Sequence, residues 1–288
     1  MEPVLSQQIR PRTPVLIVLL SLMFTAVLTA CSTSDTLDIV TPQAEPAKYA
    51  AIVVDASNGK ILYEVAADQT RYPASLAKMM TLYLLFEAID SGKVTRETQI
   101  PLSAKAVGQA PTKLYLKAGD TVDVDTAIRA LVVKSANDVA MGIAEYLAGS
   151  EQQFAALMTA RARALGMKHT VFTNPSGLPD PRMTTTARDM AVLGMALRRD
   201  FPQHYSYFSL RSFEFRGKTI KGHNKVLETV AGADGIKTGY IKSSGYNLAA
   251  SVRRNGRSLV AVVMGGDSGT ARDAHMTQLL TATINKSR

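Results

Sequence analysis

Two side chains three positions apart could do chemistry together. A serine hydroxyl attacks a carbonyl well only when a neighbouring base takes its proton. Ser75 is followed by Lys78, and on a helix positions i and i+3 lie on one face. Lysine is a base only when neutral, and burial or a second cation pushes its pKa down from about 10.4. The expected chemistry is serine acyl transfer with Lys78 as base. Two further motifs follow in order. Ser135-Ala136-Asn137 is the one S-x-N of the chain, and Lys237-Thr238-Gly239 its one K-T-G. Alone, the first could be a helix break or cap, and the second a turn at a sheet edge.

A competing S-x-x-K, Ser57-Asn58-Gly59-Lys60, contains the Asn-Gly pair of a tight hairpin turn. Such a turn does not put Ser57 and Lys60 on a common helical face, so this match is assigned a structural role. Metal chemistry has little to draw on. The 288 residues include four histidines and one cysteine, and no His-Glu-x-x-His. An internal disulfide or a Cys-x-x-Cys pair is excluded, and neither a metal centre nor a cofactor is expected.

The elements that must hold these residues are visible in outline. Ala50–Val54 and Ile61–Val65 read as a β-hairpin around Asn58-Gly59. Ser75–Ile89, apolar on nearly every face, reads as a buried helix whose first turn carries Ser75 and Lys78. That first turn also points backbone N–H groups at developing negative charge. Residues 125–147, 151–165 and about 186–198 are helical by pattern, with a loop at Asn174–Pro181. Strands are expected at Phe208–Phe215, Tyr246–Arg253 and Ser258–Met264, and a closing helix at Ala271–Ile284. The expected fold is α/β of the α+β kind. N- and C-terminal segments form an antiparallel sheet with helices on both faces, and an all-helical insertion lies between them.

Lys and Arg number 33 against 24 Asp and Glu, a formal surplus of +9. Such a balance favours anionic partners. The N-terminus places the chain outside the cytoplasm. Arg10 and Arg12 precede an apolar run from Val15 to Ala30, a secretory signal too short for a comfortable membrane span. The run ends Leu28-Thr29-Ala30-Cys31-Ser32, which resembles a bacterial lipobox. Residues 1–30 are therefore expected to be removed and Cys31 lipidated, with residues 31–48 as a flexible tether. Export takes out Arg10, Arg12 and Glu2, so the basic character stays with the mature chain. Together with the lack of any recognised motif, it argues against nucleic acid as the partner.

The three motifs together resemble those of the serine penicillin-recognising enzymes. The likeness is strongest to low-molecular-mass penicillin-binding proteins that act as D-alanyl-D-alanine carboxypeptidases. It extends over Tyr72–Thr81, Ser135–Asp138, Phe172–Leu178, Thr186–Met190 and Asp234–Tyr240, and covers the chain from about Tyr49 onward. The resemblance implies a β-lactamase/transpeptidase-like fold over residues 49–288. It makes Ser75 the nucleophile, Lys78 its base, and Ser135 the relay of a proton to the leaving nitrogen. Asn137, Lys237, Thr238, Gly239 and Tyr240 would bind substrate, with an oxyanion hole formed by the backbone N–H groups of Ser75 and Tyr240. Arg272 matches a family arginine near the carboxylate pocket, or is simply solvated at the start of the last helix. Peptidoglycan stem peptides are the implied substrate and β-lactams covalent inhibitors, on the periplasmic side of a membrane that holds the lipid of Cys31. That lipid would serve where some relatives carry an amphipathic anchor helix after the catalytic domain.

Three other readings share the motifs. A D,D-endopeptidase uses the same chemistry on cross-links, and a class A β-lactamase deacylates through a loop glutamate. The loop from Val171 to Thr186 holds no Glu or Gln, only Asp180, which counts against the β-lactamase. A cell-wall-binding protein with a vestigial site is disfavoured by intact Ser75, Lys78, Ser135 and Lys237. Ser176 stands where relatives often have histidine. His169, His204 and His275 are expected to be structural or solvated, and His223 is the histidine with a chance of lining the cleft.

Overall fold

The structure is a computed structural model that describes residues 48–285. The expected signal peptide, Cys31 and nearly all of the tether lie outside the described residues. Among the described residues nine strands occur: β1 Ala50–Asp55, β2 Ile61–Val65, β3 Gln99–Pro101, β4 Thr121–Asp123, β5 Ser212–Phe215, β6 Lys218–Lys221, β7 Ala233–Ile241, β8 Gly245–Arg254 and β9 Arg257–Gly266. The helices are α1 Lys78–Asp90, α2 Ala104–Val107, α3 Val124–Arg129, α4 Asn137–Ala148, α5 Glu151–Ala164, α6 Ala187–Asp200, α7 Val226–Thr229 and α8 Gly269–Ile284.

One antiparallel sheet in the order β2-β1-β9-β8-β7 joins the two ends of the described chain. Its strands are apolar on both faces because both faces are covered. Successive side chains on a strand point to opposite sides. Ile52 and Val54 of β1 join Val260 and Val262 of β9 in the larger core, with Leu82 and Phe86 of α1 and Met190 and Leu193 of α6. Ala51, Val53, Leu248, Ala250, Ala261 and Val263 face the other way and meet Met276, Leu279 and Leu280 of α8. Helix α6 comes close to the sheet at Gly194, where a Cβ would sit 2.9 Å from Val260 Cγ1 and 3.1 Å from Ile236 Cδ1.

The α+β architecture agrees with the sequence reading, with local differences. The insertion is not all-helical, because β3 pairs β4 and β5 pairs β6 in two small antiparallel hairpins. The stretch read as one helix from 125 to 147 is three pieces. Helix α3 runs into a π-helical turn at Ala130–Lys134, the chain then breaks at Ser135 with φ +61°, and α4 begins at Asn137. The strand expected at Phe208–Phe215 begins at Ser212, behind a 3₁₀ turn at Tyr205–Ser209. Side chains at i and i+3 eclipse in a 3₁₀ turn, which sets Tyr205 and Phe208 side by side with ring centroids 5.2 Å apart. Phe208 then closes edge-on against Phe86.

Candidate active site

Ser75 is not in the first turn of an α-helix. It lies in a 3₁₀ turn, Ala74–Ala77, and Lys78 is the first residue of α1 behind it. The tighter turn serves the same end, since three residues per turn align positions 75 and 78. Lys78 Nζ donates to Ser75 Oγ at 3.1 Å. It also donates to Asn137 Oδ1 at 2.7 Å and to the carbonyl of Ser176 at 2.6 Å. Lys78 is completely buried. Desolvation pushes its pKa well below the ordinary lysine value, nearby Lys237 adds to the effect, and Asp138 opposes it.

Each partner is fixed by its own element. Asn137 Nδ2 donates to the Ala110 carbonyl at 2.8 Å, which turns its oxygen toward Lys78. Its backbone N–H bonds Thr112 O at 2.7 Å, and Thr112 Oγ1 returns a bond to Ser135 O at 2.8 Å. Buried Asp138 accepts the backbone N–H groups of Leu114 and Tyr115. The S-x-N segment is thereby stitched to residues 110–115. The Ser176 carbonyl is set by Asn174, whose Oδ1 accepts from the N–H groups of Ser176, Gly177 and Leu178. Thr81 Oγ1 pins the Pro175 carbonyl at 2.6 Å.

These residues meet in a cleft of about 530 Å³ lined by Ser75, Ser135, Asn137, Ser176, Thr238, Gly239, Tyr240 and Arg272. Ser135 is 7% exposed and its Oγ has no protein partner. The third motif lies on β7, the edge strand of the sheet. Gly239 is required there by close approach: a Cβ would stand 2.9 Å from the Ser75 nitrogen. Tyr240 is half exposed and stacks on Tyr246 of β8, centroids 4.2 Å apart. Lys237 is buried and donates to the Thr238 carbonyl at 2.9 Å. Its pKa falls to about 7, through desolvation first and then the charge of Arg272.

Of the two readings of Arg272, the structure supports the cleft residue, since it is 5% exposed and lines the pocket. Its guanidinium is held by Asp273 Oδ1 and the Asn247 carbonyl. His223 also lines the cleft. His204 and His275 are buried and bonded to Asp90 and Tyr49. Ser57 and Lys60 take the turn role assigned to them, with Ser57 Oγ bonded to Asp55 and Lys60 N–H to Asn58. Thr186 caps α6 by accepting the Asp189 N–H, and the Asp189 carboxylate, in the first turn, accepts from the His169 N–H and the Thr170 hydroxyl at 2.7 Å. Asp180 is paired with exposed Arg182 and is not among the cleft-lining residues.

Sequence reasoning missed two residues that position the site. Asn247 is fully buried in β8; its Nδ2 holds the Tyr72 and Pro73 carbonyls, and its Oδ1 accepts from Gly265 N–H. Gly177 has φ +80°, and a Cβ there would lie 1.7 Å from the Ala74 carbonyl oxygen. Nothing in the sequence marked Asn247. Gly177 was quoted within a motif, but its contact with Ala74 spans about a hundred residues of chain and has no local signal.

The fold and this arrangement are those of the penicillin-recognising enzymes. The chain belongs to the D-alanyl-D-alanine carboxypeptidase family, which it matches over residues 38–268. It is 37% identical over 247 residues to D-alanyl-D-alanine carboxypeptidase DacA of Escherichia coli (strain K12), covering 83% of this chain and 61% of the relative's length. Among solved structures it resembles D-alanyl-D-alanine carboxypeptidase DacD from Francisella tularensis. That match has a TM-score of 0.81 and 29% identity over 86% of this chain and 72% of that one. Penicillin-binding protein D2 from Listeria monocytogenes, in its ampicillin-bound form, matches with a TM-score of 0.76 at 27% identity. It covers 83% of this chain and 98% of that one.

Gly177→Ala should strike the backbone one residue before Ser75 while forcing a left-handed φ on alanine. We expect a loss of about 3 kcal/mol in unfolding free energy. Urea denaturation with an unchanged m-value would measure it.

Proposed function

We propose that this protein is a serine D,D-carboxypeptidase that removes the terminal D-alanine from peptidoglycan stem pentapeptides. One observation carries the proposal: the Lys78 amine is buried, its pKa is pushed well below the ordinary lysine value, and it lies within hydrogen-bond reach of Ser75 Oγ. In the neutral amine, two N–H groups satisfy Asn137 Oδ1 and the Ser176 carbonyl, neither of which can donate. The lone pair is left facing the Ser75 hydroxyl.

Ser75 Oγ attacks the carbonyl of the penultimate D-alanine and its proton passes to Lys78. The backbone N–H groups of Ser75 and Tyr240 receive the oxyanion, supported by the adjacent 3₁₀ turn. Ser135, whose hydroxyl is unengaged by protein, relays the proton to the leaving nitrogen. D-Alanine departs, and water hydrolyses the ester to release a peptide one residue shorter. Thr238 and Arg272 hold the terminal carboxylate, Lys237 supplies positive potential from behind the cleft lining, and Asn137 holds the substrate backbone. The free edge of β7 suits an extended peptide. A β-lactam acylates the same serine. Among the described residues, no carboxylate other than Arg272-paired Asp273 lines the cleft, so the penicilloyl ester should be long-lived.

Purified protein given a muropeptide pentapeptide and a cross-linked dimer should release one alanine from the pentapeptide. Splitting of the dimer alone would make it an endopeptidase. Rapid repeated turnover of penicillin would make it a β-lactamase. Lys78→Arg keeps charge and size but cannot act as base, so penicillin labelling of Ser75 should fall by at least about a thousandfold. Substantial labelling of that variant would refute the base assignment.

We further propose export, with anchoring on the periplasmic side of a membrane through lipid on Cys31. The lipobox-like Leu28–Ser32 supports this, and no described helix is long and apolar enough to cross a membrane. Cys31→Ala should move the protein from the membrane to the soluble fraction. Unchanged partitioning would remove the lipid from the account.

A further inference from the structure

Lys237 carries the positive charge of the proposed site, yet it does not line the cleft. It lines a second, much smaller cavity of about 10 Å³ behind it, together with Thr238, His223, Asn224, Arg211 and Glu228. An ammonium has three N–H donors. One protein acceptor is recorded for that of Lys237, the Thr238 carbonyl. In the same cavity lining, both side-chain atoms of Asn224, Oδ1 and Nδ2, are buried without a protein partner. Among the described residues it is the one side-chain amide so placed.

A buried amide with neither atom paired is costly, on the order of 1–3 kcal/mol per group. A cavity of about 10–15 Å³ with polar walls holds one water molecule. Its walls supply what such a water needs: an acceptor and a donor from Asn224 and a donor from Lys237. The segment is held in place independently of Asn224, because Gly222 N–H bonds the Arg211 carbonyl at 2.7 Å and Val226 and Leu227 are buried.

We propose that Asn224 is a positioning residue for Lys237, acting through a single water molecule enclosed between them. The water accepts from the ammonium and donates to Asn224 Oδ1. It thereby fixes the Lys237 side chain and favours its charged form against the repulsion of a neighbour. The repelling neighbour is Arg272 from α8; Lys78 from α1 and His223 from the segment after β6 also lie near it, each with its own pKa lowered by Lys237. Arg211 and Glu228 complete the charged lining, the latter paired with Lys225. This rests on the reading of Lys237 as the cation of the proposed site.

The test compares the full-length protein in detergent with Asn224→Leu and Asn224→Asp. Ser75 acylation by a fluorescent penicillin is followed against pH, and Lys237 ionisation is followed directly by NMR of labelled lysine side chains. Leucine removes the water's partner, so second-order acylation should fall roughly ten- to hundredfold at neutral pH, and Lys237 should lose its proton at lower pH. Aspartate adds a charge and should move that ionisation to higher pH while keeping acylation. Leucine also removes two unpaired polar atoms, so thermal unfolding should occur no earlier than in the parent. The proposal is overturned if Asn224→Leu melts as the parent does and leaves the Lys237 titration unmoved. It is equally overturned if Asn224→Leu misfolds and Asn224→Asp fails to move the titration. Absence of acylation in the parent protein would instead overturn the site reading, and the NMR titration would still decide the role of Asn224.

Discussion

The burial of one ammonium group organises the site. A lysine removed from water must either be fully hydrogen-bonded or give up its charge. Lys78 is arranged for both. Its three partners come from three separate parts of the chain: the turn before α1, the start of α4, and the loop at 174–178. Two of them are obligate acceptors held in place by bonds of their own. The third, Ser75 Oγ, can either donate or accept. A neutral amine in this cage therefore has one direction left for its lone pair, and that direction is the serine. The base is aimed by what surrounds it rather than by its own flexible stem.

The charges around it are graded. Lys237 lowers the pKa of Lys78, and Arg272 lowers that of Lys237. Arg272 is balanced at once by Asp273, and on the far side Asp138 supports the charged form of Lys78. Acids at both ends of a row of cations let the interior amines lie close together. The row also projects positive potential toward the cleft. Formal net charge was a poor guide to this, since many of the basic residues are exposed and paired on the surface, as Arg188 is with Glu64 and Asp68.

The sequence revealed whatever was carried by local pattern. Short β-rich apolar runs marked β1, β2, β8 and β9, and an Asn-Gly pair marked the first hairpin. Three short motifs marked the Ser75–Lys78 turn, the S-x-N segment and the K-T-G segment. What it hid was produced through space. The S-x-N stretch had helical periodicity, and propensity alone favoured continuing the helix. The break is stabilised by Asp138 capturing the backbone of Leu114 and Tyr115, and by Thr112 meeting Ser135, contacts more than twenty residues away. Asn247 was hidden for the same reason, an ordinary polar residue on a strand until the Tyr72 and Pro73 carbonyls arrive opposite it.

Two non-glycine residues at the site, Ala74 with φ +48° and Ser135 with φ +61°, occupy the left-handed region. Each such conformation costs on the order of 1–3 kcal/mol and persists only when its surroundings over-determine it. Both are over-determined here. Ala74 is pressed by Gly177, and the residues just before it are tied to β8 by Asn247; Ser135 is held through Thr112 and the fixed start of α4. The strain has a geometric product in each case. At Ala74 it turns the chain so that Ser75 lines the cleft, with its backbone close to Gly239. At Ser135 it stops a helix that would otherwise carry its hydroxyl past the cleft. The contacts that look like packing around the site are what hold Ser75 and Ser135 in the lining of one cleft.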